Sequence, residues 1–307
     1  MKNILVIGSM NMDLVVNLQE IPRPGETVLG ESLKEIPGGK GANQAVAMAK
    51  LGADVTFLGK VGKDGFGDNL LVSMKNSGVD TERIQRVKDS TGIAVINVDK
   101  DGNNNIVVIP GANFKVDEDY IHGNEEAFDE ASLVVMQLEI PLETVKESLR
   151  LAKEKGKTTI LNPAPAKDLD DQFIENIDIL IPNEHELERM SGVEISDESS
   201  IIKASQVLLD KGIKEIVVTL GSRGVLWINK RQHKFFKSFK VEVLDTTAAG
   251  DSFIGGFASS FIQDEDIEKA IELGQKTAAL SIQKFGAQSS LPTKKEVDEF
   301  TDKSAKP

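Results

Sequence analysis

The sequence predicts an α/β protein: a central, mainly parallel β-sheet flanked by helices, with a small β-sheet set off from the body. Two observations carry that expectation. First, the apolar runs Ile4 to Ile7, Val55 to Leu58, Leu133 to Met136, Thr158 to Leu161, Ile177 to Ile181 and Ile216 to Leu220 are largely continuous rather than alternating, as strands buried on both faces are. Segments of helical periodicity separate them, at Ala42 to Lys50, Phe66 to Asn76, Leu142 to Lys155, Ser199 to Lys211, Gly250 to Phe261 and Ile267 to Ile282, with a last one at Thr293 to Phe300. Second, four strand-like segments lack intervening helices. Leu14 to Leu18 and Thr27 to Ile36 flank a Pro22-Arg23-Pro24-Gly25 turn, and Gly92 to Val98 and Asn104 to Ile109 flank Asp99-Lys100-Asp101-Gly102-Asn103, which holds an Asp-Gly hairpin signal.

These four strands fit a second sheet that serves as a lid or dimer surface, or an edge extension that only packs. The expected division is residues 1–13, 38–91 and 111–300 for the body and 14–37 and 92–110 for the small sheet. The polar stretch 301–307 is expected to fray.

With 307 residues, 40% hydrophobic and 28% charged, the chain has the balance of an ordinary globular protein able to bury a large core. A formal charge of -13 opposes nucleic acid and anionic membrane surfaces. Any polyanionic nucleotide must therefore be met by local helix N-termini, lysines and a divalent ion. The absence of cysteine excludes disulfides, thiolate nucleophiles and zinc held by sulfur, and three scattered histidines make a histidine metal centre a poor fit. The N-terminal apolar run is too short for a signal peptide and no stretch reaches membrane-spanning length, so a cytoplasmic protein is expected.

Asp245-Thr246-Thr247-Ala248-Ala249-Gly250-Asp251 opens an apolar helix and carries the strongest chemical signal. The small side chains leave the N–H groups of Ala248, Ala249 and Gly250 open to a phosphoryl group at the positive end of a helix dipole. Asp251, in the same turn, is a carboxylate able to take the proton of an attacking hydroxyl. The combination reads as phosphoryl transfer, the alternative being a motif that only caps its helix.

The other motifs are individually ambiguous. Gly38-Gly39-Lys40-Gly41-Ala42-Asn43 lacks the P-loop spacing and suits either a tight turn or a loop holding a polyhydroxy ligand through Lys40 and Asn43. Asn11 and Asp13 follow the first strand, where open sheets place ligands, and either grip neighbouring hydroxyls or cap a turn. Asn183 and Glu186 have the spacing of a capping box, with Glu186 also able to meet a triphosphate through water and Mg²⁺. Thr219-Leu220-Gly221-Ser222-Arg223-Gly224 is a turn whose backbone could lie along a phosphate, or only a turn. The Lys284 to Ser290 loop, rich in carbonyls, could coordinate a monovalent cation with Asp245, while Phe285 within it is expected to pack.

Gly38-Gly39-Lys40-Gly41-Ala42-Asn43-Gln44-Ala45 and Asp245-Thr246-Thr247-Ala248-Ala249-Gly250-Asp251-Ser252-Phe253 together resemble the two signatures of the PfkB-type carbohydrate kinases, over a likeness running from Asn3 to about Phe300. Within that family the ribokinases are most similar, through Asn11-Met12-Asp13, Pro24-Gly25-Glu26-Thr27 and Gly286-Ala287-Gln288. The resemblance implies the ribokinase-like fold and ATP-dependent phosphorylation of D-ribose at its 5-hydroxyl. Asn11, Asp13, Gly39, Lys40, Asn43 and Glu139 would hold the pentose, Asp251 would be the base, and the N–H groups of Ala248, Ala249 and Gly250 would steady the phosphoryl group.

By the same likeness Asn183, Thr219, Gly221 and Gly224 meet the nucleotide and Glu186 the Mg²⁺ water network. An activating K⁺ would sit among Asp245, the carbonyls of Thr247, Ser281, Lys284 and Gly286, and the Ser290 hydroxyl. The small sheet becomes a lid over the sugar, paired with that of a second subunit in a homodimer. Two departures stand out: Gln275 replaces an Asn common on the nucleotide side, which puts adenine contacts in question, and Ser252 replaces a Thr. The competing readings are a kinase for 2-deoxyribose, a nucleoside or a hexose, and, remotely, a sugar-binding protein without activity. The segments named carry no aromatic platform for a nucleobase, which favours a small polyol.

Overall fold

The computed structural model describes residues 2–301; the part of the polar tail beyond Thr301 lies outside them. Strands are numbered in chain order: β1 (Asn3–Ile7), β2 (Asn11–Asn17), β3 (Ser32–Gly38), β4 (Asp54–Leu58), β5 (Lys60–Gly62), β6 (Gln85–Val87), β7 (Gly92–Val98), β8 (Asn104–Ile109), β9 (Ala131–Met136), β10 (Thr158–Leu161), β11 (Ile179–Leu180), β12 (Glu215–Thr219), β13 (Val225–Asn229) and β14 (His233–Phe236). The main sheet has the order β14-β13-β12-β11-β10-β9-β1-β4 and is parallel from β12 to β4. It turns antiparallel at β13 because only the short Gly221–Arg223 turn separates β12 from β13, too little chain for a crossover.

Strand β1 shows why the continuous apolar runs read as strands buried on both faces. Ile4 and Val6 enter one core with Phe57, Phe253 and Phe257, while Leu5 and Ile7 enter the other with Phe128, Leu149 and Leu208. The first face is covered by helices Lys40–Lys50, Gly65–Asn76, Ala249–Asp264 and Ile267–Ser281; the second by helices that include Leu142–Glu154 and Glu198–Asp210. Neighbours of β1 lie on both sides, β4 from the chain between the two halves of the small sheet and β9 from the chain after them. The carboxyl ends of β1 and β9 therefore flank a point where the winding reverses, the usual ligand crevice of such sheets.

The small sheet is real, with order β3-β2-β7-β8, but its limits differ from those expected. Strand β2 begins at Asn11 rather than Leu14, because Asn11 pairs with Gly38 on one side and Gly92 on the other. Asn11 and Asp13 thus lie on the first strand of the small sheet, not in a loop ahead of it. Strand β3 starts at Ser32 rather than Thr27, since its partner β2 ends at Asn17, opposite Ser32. The short helices Glu118–His122, Glu125–Glu130 and Asp171–Ile174 and the edge strand β14 were not foreseen; elements of four to six residues carry too little periodicity to read.

Candidate active site

The site forms where the carboxyl edge of the main sheet meets the N-termini of two helices. Helix Ala249–Asp264 begins after Ala248 with no side-chain cap. The Ala249 N–H reaches back 3.2 Å to the Thr246 carbonyl, so among the described residues Ala248 and Gly250 are the donors of the expected trio that remain unpartnered. A side chain on Gly250 would meet nothing within 4 Å, which leaves that approach open.

Asp251, in the first turn of the same helix, is buried, and the opposing helix Lys40–Lys50 supplies its partners. Asn43 Nδ2 donates to one carboxylate oxygen at 2.9 Å and Gln44 Nε2 to the other at 3.0 Å. Burial pushes the Asp251 carboxyl above the ordinary range, opposed by the Lys40 ammonium and these two amides. The Asn43 oxygen is buried and has no partner among the described residues, an acceptor left for a hydroxyl.

The glycine motif starts the Lys40–Lys50 helix against β2. Gly39 has φ +89°, and a Cβ there would fall 2.7 Å from the Asn11 nitrogen, so only glycine brings this helix end so close to the strand. No side chain on the helix itself caps it. Glu139, three residues beyond β9, takes that place: one carboxylate oxygen accepts from the Lys40 N–H at 3.0 Å and the Ser9 hydroxyl at 2.5 Å.

The Asn11 amide is aimed by Asn113. The Asn113 oxygen accepts from the Met10 N–H at 2.9 Å, which fixes the flip and sends Nδ2 to the Asn11 oxygen at 2.7 Å. The Asn11 Nδ2 is thereby left as a donor. Next along the strand, Asp13 is pushed up to about 7 by burial and by the charges of Glu139 and Asp251. Lys40 is the cation in this group: burial lowers its pKa, but Asp251, Glu139 and Glu186 outweigh that and hold it above the ordinary lysine value. Three carboxyl groups act on the Lys40 ammonium and Asp13 stands beside two of them, an acidic cluster that suits a ligand rich in hydroxyls at one end and a cation-bearing polyanion at the other.

Asn183 and Glu186 form the expected capping box at the start of helix Glu184–Ser191. Burial raises the Glu186 pKa against its bond from the Asn183 N–H and the Lys40 charge, while Asp251 adds to the rise. A short parallel bridge sets Asn183 beside Thr219, bringing those two candidates together. Gly221 is open, whereas Gly224 has a structural reason of its own: with φ +100°, a Cβ would sit 1.9 Å from the Phe236 carbonyl. Gln275 is committed to the sheet edge, its amide donating to the Lys237 carbonyl at 3.1 Å.

Asp245 ties the motif to the loop after helix Ile267–Ser281. Its carboxylate accepts from the Thr247 N–H and hydroxyl and, at 2.8 Å, from the Gly286 N–H, all of which hold its pKa low against burial. The Ser281 carbonyl accepts from the Lys284 N–H at 3.0 Å, and the Ser290 hydroxyl donates to the Ala287 carbonyl at 2.8 Å. The Lys284 side chain turns away to Glu296. Phe285 does not pack as expected; it is 72% exposed, because the loop orients its backbone toward Asp245 and the Ser289 hydroxyl, and the ring is left outside.

Sequence reasoning missed Ser9, Gln44, Asn113, Gln137 and Asn162. Two signals were available: Gln44 stands within the glycine motif, and Gln137 and Asn162 directly follow the ends of β9 and β10, the edge where ligands bind.

A glycine-shaped sugar end, a buried carboxylate and an open helix N-terminus define a phosphotransferase acting on an alcohol. The model of the pfkB family carbohydrate kinases matches residues 1–294. The chain is 42% identical over 302 residues to a ribokinase of Haemophilus influenzae, covering 98% of this chain and 99% of that one. It is 39% identical over 300 residues to a deoxyribokinase of Salmonella typhi, covering 97% and 98%. The structure of Arabidopsis thaliana ribokinase complexed with ribose and ATP superposes with a TM-score of 0.91 at 30% identity, covering 98% of this chain and 99% of that one. The chain belongs to the pfkB family of carbohydrate kinases, and it is a sugar kinase.

Proposed function

We propose that the chain transfers the terminal phosphoryl group of ATP to the 5-hydroxyl of D-ribose, giving D-ribose 5-phosphate and ADP. The observation that carries this is Asp251: a buried carboxylate held by two amides, one turn from unpartnered backbone donors. Asp251 takes the proton of the hydroxyl as its oxygen bonds to phosphorus and the bond to the departing ADP oxygen breaks. The N–H groups of Ala248 and Gly250, joined by that of Ala249 if it leaves Thr246, meet the negative charge on the moving group. Asn11 as donor, Asp13 as acceptor, Gly39, Lys40, Asn43 and Glu139 hold the pentose. Asn183, Thr219, Gly221 and Gly224 lie along the nucleotide, with Gln275 at the edge of its site.

The hard oxygen donors fit the cations. Glu186, buried near the excess of carboxylates, suits the water shell of Mg²⁺, which when bound neutralises phosphate charge. Asp245, the carbonyls of Thr247, Ser281, Lys284 and Gly286, and Ser290 suit K⁺, which would fix the loop beside the helix N-terminus. The small sheet serves as a lid that excludes water from the reacting atoms. Leu33 and Ile106 to Ile109 on it are 45–60% exposed, and a second copy covering them gives a homodimer. No described helix is long and apolar enough to cross a membrane, and the use of ATP as donor supports a cytoplasmic enzyme.

The similarity to a deoxyribokinase makes 2-deoxyribose the competing acceptor. ADP release measured with ribose, 2-deoxyribose, fructose and adenosine decides between them, with the highest kcat/KM expected for ribose. Asp251→Asn should lower kcat by at least ~1,000-fold while ribose binding by calorimetry stays within a few-fold. Near-normal turnover in that variant would remove Asp251 as the base.

A further inference from the structure

Gln44 belongs to a run of buried amides that crosses the carboxyl ends of three neighbouring strands. Gln137 follows β9, Asn162 follows β10 and Ile181 follows β11. The Asn162 Nδ2 donates to the Ile181 carbonyl at 3.1 Å, which turns the Asn162 oxygen toward Gln44 Nε2 at 3.2 Å. Gln137 Nε2 donates to the Gln44 oxygen at 2.6 Å. Held at both ends, the Gln44 amide has one orientation, and its second N–H falls on the Asp251 carboxylate at 3.0 Å.

Gln44 is fully buried, and Gln137 and Asn162 are at most 8% exposed. Burying three amides is costly where apolar side chains of like size would fill the space, and the Gln137 oxygen stays without a partner among the described residues. Such a cost at the edge of a core built mainly of apolar side chains marks a positional demand. Among the described residues the only ionisable side chain bonded to the run is Asp251, through the carboxylate oxygen that Asn43 does not bond.

We infer that Gln44, oriented by Gln137 and Asn162, is a positioning residue that locks the rotamer of the Asp251 carboxylate so that a free lone pair points at the acceptor hydroxyl. The inference rests on Asp251 being the base. Gln44 acts from behind the carboxylate, so it sets the rate of proton removal and not the grip on the sugar.

The test is Gln44→Met, of matching length without the amide, assayed beside Gln137→Met. In Gln44→Met, kcat should fall ~10- to 100-fold, the range of a hydrogen bond to a charged group, while the ribose KM changes less than threefold. The acid limb of the pH–kcat profile should move up by about one pH unit, because the carboxylate loses a donor that favours its ionised form. Lys40, Glu139, Asp13 and Glu186, the other charges that act on Asp251, are unchanged in both variants. Gln137→Met should show a smaller change of the same sign, and it keeps the inference testable if Gln44→Met does not fold. A folded Gln44→Met with normal kcat and an unmoved acid limb overturns the inference, as does a loss confined to thermal stability. Failure of the underlying reading is separate: it would show as normal turnover in Asp251→Asn.

Discussion

Replacing Asp13 with asparagine should make the ligand-free protein more stable and worse at its reaction. In the folded chain burial, together with Glu139 and Asp251, lifts the Asp13 pKa from 3.8 to about 7, and no donor among the described residues pairs with its carboxylate. A rise of that size corresponds to about 4 kcal/mol by linkage, and solvent reaching the partly exposed group trims it to about 2–4 kcal/mol. The sign follows from the raised value. Relative to an ionised side chain, the protonated form favours the folded state fully below pH 3.8, and the advantage is lost as pH rises through about 7. An asparagine is neutral throughout, so its advantage over wild type is largest above pH 7 and roughly half as large at pH 5.5.

An unfolding entropy of about 2 cal/mol/K per residue over a chain of this length converts the gain to a Tm increase of about 3–6 °C at pH 8.5. The assay is calorimetry of both proteins without ligand from pH 5.5 to 8.5, and the gap should open with pH and level off above 7. The same variant should lose at least ~100-fold in kcat/KM for ribose, having lost an acceptor for sugar hydroxyls. Equal Tm values at pH 8.5, or a gap that does not change with pH, would refute the reasoning.

Three further outcomes follow from packing and charge. A Cβ at Gly255 would lie 2.3 Å from that of Ala47, where the helices bearing Asp251 and Gln44 cross, so Gly255→Ala should cost about 1–3 kcal/mol and lower kcat by thermal and steady-state assay; Gly65→Ala, with open space around it, should be neutral or stabilising. Asp245→Asn should weaken the preference for K⁺ over Na⁺ in steady-state rates, and a preference as strong as wild type would count against the cation site. Val107→Lys on β8 should shift a dimer to monomer in sedimentation velocity while the monomer keeps its fold by circular dichroism.

The sequence by itself determined the layered plan and its chemical poles. Continuous apolar runs mark strands buried on both faces, helical spacing marks the layers over them, and the Asn183–Glu186 cap could be read because it is closed within one turn. The glycine motif and the Asp245 to Asp251 motif were legible for the same reason: each is a local conformation encoded by adjacent residues. Tertiary structure alone decided that Gln44 meets Asp251 across 207 positions, that Glu139 caps a helix 99 positions earlier, and that Asn113 aims Asn11 from 102 positions away. An isolated buried amide leaves no periodic trace, and its meaning comes from which strand ends stand side by side, an order set by the packing of the whole sheet rather than by any stretch of chain.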